Sequence, residues 1–250
     1  METTSGPFLA FYASDLQATY SLWVVPILFL AYLLSSGRRR ADASEDPAAR
    51  FVWTYALVFV CETILDSFAT GPLSRWLGIY GTPFGTAVLL AFVLLGDFRV
   101  LLLVFRLARP RARWIVQAAL WTFVVPIFAW VANTDLHSRW PDLPEQTIWL
   151  VYELGFLTLA LVFRSALVPR WTSAAAPERM PFLRAVLAYV AVYYGLWATA
   201  DVLIMGLGLD LGWGLRVIPN QLYYSFYLPF VFWRFFRDET AGAAATPART

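Results

Sequence analysis

The stretch FVCETILDSFATGP, residues 59–72, sets two carboxylates, Glu62 and Asp66, one turn apart in an otherwise apolar helical run. A carboxylate in hydrocarbon costs several kcal/mol, roughly 3 on insertion scales. The rest of the chain says that hydrocarbon is the solvent. Hydrophobic residues make up 60% of the sequence and charged residues only 14%, and the mean hydropathy is +0.60. Soluble domains hold about 45–50% apolar and about 25% charged residues. Composition therefore predicts an all-α, polytopic integral membrane protein with the lipid bilayer as its first partner. No nucleic-acid partner is expected.

A membrane span needs about 20 mainly apolar residues. Seven segments qualify: 19–36, 51–70, 84–107, 114–133, 147–167, 183–207 and 213–236. All nineteen basic residues are arginine. The first, third and fifth connections hold Arg38, Arg39, Arg40, Arg50, Arg106, Arg109, Arg111, Arg113, Arg164, Arg170, Arg179 and Arg184, and the C-terminal end adds Arg234, Arg237 and Arg249. The opposite side holds Arg75, Arg139 and Arg216, so the split is fifteen against three. By the positive-inside rule the expected architecture is a seven-transmembrane-helix bundle, N-terminus outside and C-terminus cytoplasmic. The N-terminus lacks the basic region of a cleaved signal peptide, so the first span reads as an uncleaved anchor. The chain divides into one transmembrane domain, 1–238, and a small, polar tail, 239–250, expected to be disordered and cytoplasmic. Arginine-only basic usage suggests a GC-rich genome and a bacterial-type inner (cell) membrane.

One cysteine, Cys61, permits neither an intrachain disulfide nor a CxxC site. The single histidine, His137, lies in a polar connection, which excludes histidine-rich metal sites. No metal site is expected, and no cofactor is assigned. GxSxG, HExxH and phosphate-cradling glycine loops are absent, so the sequence leaves open whether the protein is an enzyme.

At 1.5 Å per residue the polar positions can be assigned depths. Glu62 falls near the middle of the second span and Asp66 in its outer third. Glu153, Asp201, Arg216, Asn220 and Gln221 fall at the same outer level on the fifth, sixth and seventh spans. Four carboxylates, one arginine and two amides are thus expected to converge. Glu62 and Asp66 share a helix face; either one of them holds a proton or a cation sits between them. The bland alternative is a structural polar network, but intramembrane ionisable residues mark function by default. Asp97 and Arg99, in the inner third of the third span, are two apart and cannot face each other. Each is expected to lock onto another helix.

Aromatic stripes accompany the acids. Tyr189, Tyr193, Trp197 and Asp201 recur every four residues; Arg216, Asn220, Tyr223, Tyr224 and Tyr227 share a face of the last span. Trp23, Trp76, Trp140, Trp149, Trp213 and Trp233 fit interface belts, but Tyr193 and Trp197 do not. Aromatic faces beside carboxylates suit an organic cation, a flat conjugated molecule or an isoprenoid developing positive charge. Prolines 26, 126, 219 and 229 are expected to kink their helices, and carbonyls freed near Asn220 to add acceptors.

The seven spans, the outside N-terminus and the aromatic sixth span resemble the topology of microbial rhodopsins. Covalent retinal is nonetheless excluded, because the chain has no lysine to form the Schiff base. The Glu62-x-x-x-Asp66 spacing is similar to the acidic motifs with which membrane prenyltransferases hold magnesium diphosphate. A second such motif is missing, and these acids face outward.

The leading expectation is a pocket in the outer half of the membrane that binds or transforms a lipophilic, isoprenoid-like or cationic small molecule. Glu62, Asp66, Asp201 and Glu153 would supply acid–base chemistry or counter-ions, and Tyr193, Trp197, Arg216, Asn220 and Tyr224 would hold the guest. Proton- or cation-coupled transport is the alternative, as is a non-catalytic sensor or subunit with membrane-protein partners.

Overall fold

The computed structural model describes residues 6–109 and 113–245; Arg111, Arg249 and the tail residues 246–250 lie outside them. The described residues form helices and no strand. They are α1 (Pro7–Tyr12), α2 (Leu16–Asp42), α3 (Ala49–Trp76), α4 (Pro83–Ala108), α5 (Trp114–Arg139), α6 (Thr147–Thr172), α7 (Pro177–Gly206) and α8 (211–245). Six of them, α2 to α7, are long and apolar enough to cross a membrane. The last long helix, α8, falls below that hydropathy level because Arg216, Asn220, Gln221, two prolines and three tyrosines dilute its apolar residues.

Helix contacts run in a ring, from α2 through α3, α4, α5, α6 and α7 to α8, and α8 closes against both α2 and α3. The inward faces bury Phe59, Leu103, Phe105, Tyr193, Tyr227 and Phe232. The outward faces are as apolar as the core: Leu28 is 66% exposed, Leu120 65%, Ile127 58% and Val58 55%. Water would penalise such a perimeter, at about 25 cal/mol per Å² of apolar surface; lipid would not.

The termini of the helices differ from the sequence reading in instructive ways. Arg38, Arg39 and Arg40 belong to the last turns of α2 rather than to a loop, because nothing breaks the helix before Asp42. Beyond the boundary at residue 238, α8 continues as helix through Ala245. Pro126 lacks the N–H that would bond the Thr122 carbonyl, and α5 breaks one residue later, at Phe123. Between Pro219 and Pro229, α8 widens to π-turns over Gln221–Phe226. There the carbonyls of Leu222 and Tyr223 accept side-chain donors, Tyr189 at 2.9 Å and Arg99 at 2.8 Å. The α3–α4 turn relies on Gly78 and Gly81, at φ +67° and +74°, where a Cβ would be strained.

The short α1 was not anticipated. Asp210, at the start of α8, caps it from outside: its carboxylate accepts the Phe8 N–H at 2.9 Å and the Leu9 N–H at 3.0 Å. Gly6 lets the two segments meet, since a Cβ there would overlap the Asp210 carboxylate. An Arg75–Asp15 ion pair ties the following turn to α3. Replacing Asp210 with Ala should cost about 1 kcal/mol, as loss of a helix cap does. Hydrogen exchange should then speed up across residues 7–14 while α3 and α4 keep their protection.

Candidate functional site

A cavity of about 220 Å³ lies under α1, between α4, α6, α7 and α8. That is somewhat below the roughly 300–1,000 Å³ of drug-sized ligand sites. Aromatic rings from Trp149, Trp197, Tyr223 and Tyr224 form most of the wall; Leu89 and Val93 form the α4 side. Glu153, Arg216 and Asn220 supply its polar end. Tyr12 closes the top, 5.3 Å from the Trp213 ring and within 3.4 Å of Asn220 Nδ2.

Helical spacing explains the polar end. Trp149, Tyr152 and Glu153 sit at i, i+3 and i+4 on α6 and so share the face turned to the cavity. Arg216 pairs with Asp201 of α7 and lies 3.5 Å from Glu153. Gln146 holds both Asp201 oxygens at 3.4 Å. Glu153 and Asp201 face each other within hydrogen-bonding reach, and both are buried, at 4% and 0% exposure. Trp197 Nε1 donates to Asn220 Oδ1 at 2.8 Å, which satisfies the half-buried indole.

Glu62 and Asp66 do not join that group. They lie on the other side of Tyr223 and Tyr224, with Asp66 within hydrogen-bonding reach of Tyr224. The single acidic layer expected from depth alone thus divides in two. Helix rotation decides this, and depth carries no information about rotation. Glu62 is 3.7 Å from Arg99, which is 1% exposed. Arg99 also donates to Thr63 Oγ1 at 2.9 Å and to the Tyr223 carbonyl at 2.8 Å. Its guanidinium lies over the Tyr223 and Tyr227 rings, 4.3 and 5.0 Å from their centroids. Arg99 therefore does not snorkel to a headgroup; it is the counter-charge of the stretch around Glu62.

Asp97 takes the hydroxyls of Tyr152 and Tyr194 from two other helices, and both rings line the cavity. Gly96 makes room next to it: a Cβ there would overlap the Tyr223 hydroxyl, so the tyrosine packs against α4 where there is no side chain.

Of the nine residues singled out from sequence, Glu153, Trp197, Arg216, Asn220 and Tyr224 meet at the cavity wall. Asp201 stands behind Arg216. Tyr193 is fully buried behind the wall, its ring 5.5 Å from Trp197 and 5.6 Å from Tyr223. Tyr12, Leu89, Val93, Trp149, Tyr152, Tyr194 and Tyr223 also line the cavity but are not among the nine; Trp149 reads in sequence as an interface tryptophan and Tyr223 as part of the last span's stripe. The Trp149–Tyr152–Glu153 spacing could have revealed two of them. Tyr12 gives no such signal, because α1 lies outside every span. Among the described residues no group of three or more His, Cys, Asp or Glu side chains is placed to hold a metal ion.

No protein-family model, characterised protein or solved structure matches this chain.

Proposed function

We propose that this is a multi-pass membrane protein whose aromatic and acidic cavity binds a small lipophilic or cationic molecule in the outer half of the bilayer. In this reading α2 to α8 make seven spans, with the N-terminus outside, the C-terminus cytoplasmic and a bacterial-type inner membrane as the host. The fifteen-to-three arginine asymmetry supports that orientation. The ring closure of α8 against α2 and α3 supports counting it as a span despite its polar residues.

The observation that carries the functional reading is the cavity itself. Its rings are held by hydrogen bonds, as at Trp197–Asn220, so the aromatic wall is preorganised and a guest need not order it. A packing network alone gains nothing from a void, since a cavity costs stability in proportion to its volume. With Tyr12 of α1 over the opening, access lies either past α1 from the outer face or past the half-exposed Leu89 from the lipid.

A cavity-filling variant tests this. Leu89→Trp adds an indole to the α4 wall without touching any charged residue. Small molecules extracted from protein purified in lipid nanodiscs should include one recovered with the wild type and reduced at least tenfold in Leu89→Trp. Identical extracts from the two proteins would defeat the reading.

A further inference from the structure

Charge bookkeeping at the cavity's polar end identifies the chemistry of the guest, given that the cavity is a binding site. Glu153 and Asp201 share one guanidinium, that of Arg216. With both acids ionised the cluster would carry one uncompensated negative charge, which costs several kcal/mol when buried. Two facing carboxyls at hydrogen-bonding reach resolve this by holding one proton between them. Asp201 is the better charge partner, since it receives both Arg216 and Gln146. Glu153 is the carboxyl on the cavity wall, and its Oε2 is buried without a donor in the protein.

We propose that the guest is a small organic ammonium ion, which replaces that proton. An ammonium N–H bonds to Glu153, its positive charge lies among Trp149, Trp197 and Tyr224, and the proton leaves to water. One cation enters and one leaves, so the buried charge is unchanged and no covalent bond is made or broken. An anion would add an uncompensated negative charge to a cluster that the shared proton has made neutral, and a neutral guest would displace no proton. The groups facing Glu153 agree with this assignment. Arg216 comes from α8 and Asp201 from α7, while Tyr12 of α1 and Tyr152 of its own helix share the cavity wall with it. Asp97 of α4 is occupied by Tyr152 and Tyr194, and on α5 Asp135 pairs with Arg139.

Three probes of one shape separate the possibilities: phenethylamine, 2-phenylethanol and phenylacetate. Each is titrated calorimetrically into the full chain in nanodiscs near neutral pH, with empty nanodiscs subtracted. Alkyl ammonium groups stay charged to about pH 10. The amine should bind at least tenfold tighter than the alcohol or the acid. Repeating the titration in two buffers of different ionisation enthalpy should reveal about one proton released per amine bound. Glu153→Gln should weaken the amine at least tenfold and abolish proton release, while the alcohol still binds, which shows that the variant's cavity is intact. If the alcohol or the acid binds as tightly as the amine, or if the amine binds without releasing a proton, the ammonium assignment is wrong and the pocket stands. If none of the three binds the wild type, the pocket reading itself falls.

Discussion

Replacing Arg99 with Met is expected to destabilise the fold by about 3–5 kcal/mol, the penalty for leaving a buried charge without its partner. Arg99 is the counter-charge of Glu62 and the donor to Thr63 and to the Tyr223 carbonyl. Methionine fills much of the volume and meets none of these needs, so Glu62 must take up a proton and the Tyr223 carbonyl loses its side-chain donor. The double variant Arg99→Met with Glu62→Gln removes both charges and should recover part of the loss. Equilibrium unfolding in mixed micelles measures both. A double variant less stable than the sum of the two single losses would mean that Glu62 and Arg99 are not partners.

The second large effect is expected at Asp97. Asp97→Val should cost about 3 kcal/mol, because it leaves the buried hydroxyls of Tyr152 and Tyr194 without an acceptor, at about 1–3 kcal/mol each, partly offset by removing a buried carboxylate. Asp97→Asn keeps one acceptor and should lose less than half as much. Both tyrosines line the cavity, so the valine variant should also weaken any guest, through loosened walls rather than a lost contact. Equal losses for Asn and Val would rule out Asp97 as the anchor of the two rings.

The all-helical fold was legible because its signals are local: apolar runs of span length, and prolines and glycines at the breaks. Capping from a distance is not local. Asp210 holds α1 across some two hundred residues of sequence, and no periodicity in residues 6–12 announces a helix. The candidate site was legible to the extent that depth could be counted. Depth brought Glu153, Asp201, Arg216 and Asn220 together because all four lie near the same end of their helices. It failed for Glu62 and Asp66, which share that level but point elsewhere, and it underrated Arg99. Which way a helix is turned depends on its neighbours, and the ring order of helices is a property of packing rather than of any one segment.

Whether the space between Trp197, Tyr224 and Glu153 is a binding site can be seen directly. The measurement is a density map of the protein taken from its native membrane into nanodiscs. Compact non-protein density of organic size is expected in that space, against the aromatic rings and within hydrogen-bonding distance of Glu153. A cavity holding only ordered water, or collapsed with the Arg216 side chain drawn into it, would mean that the space is not a binding site.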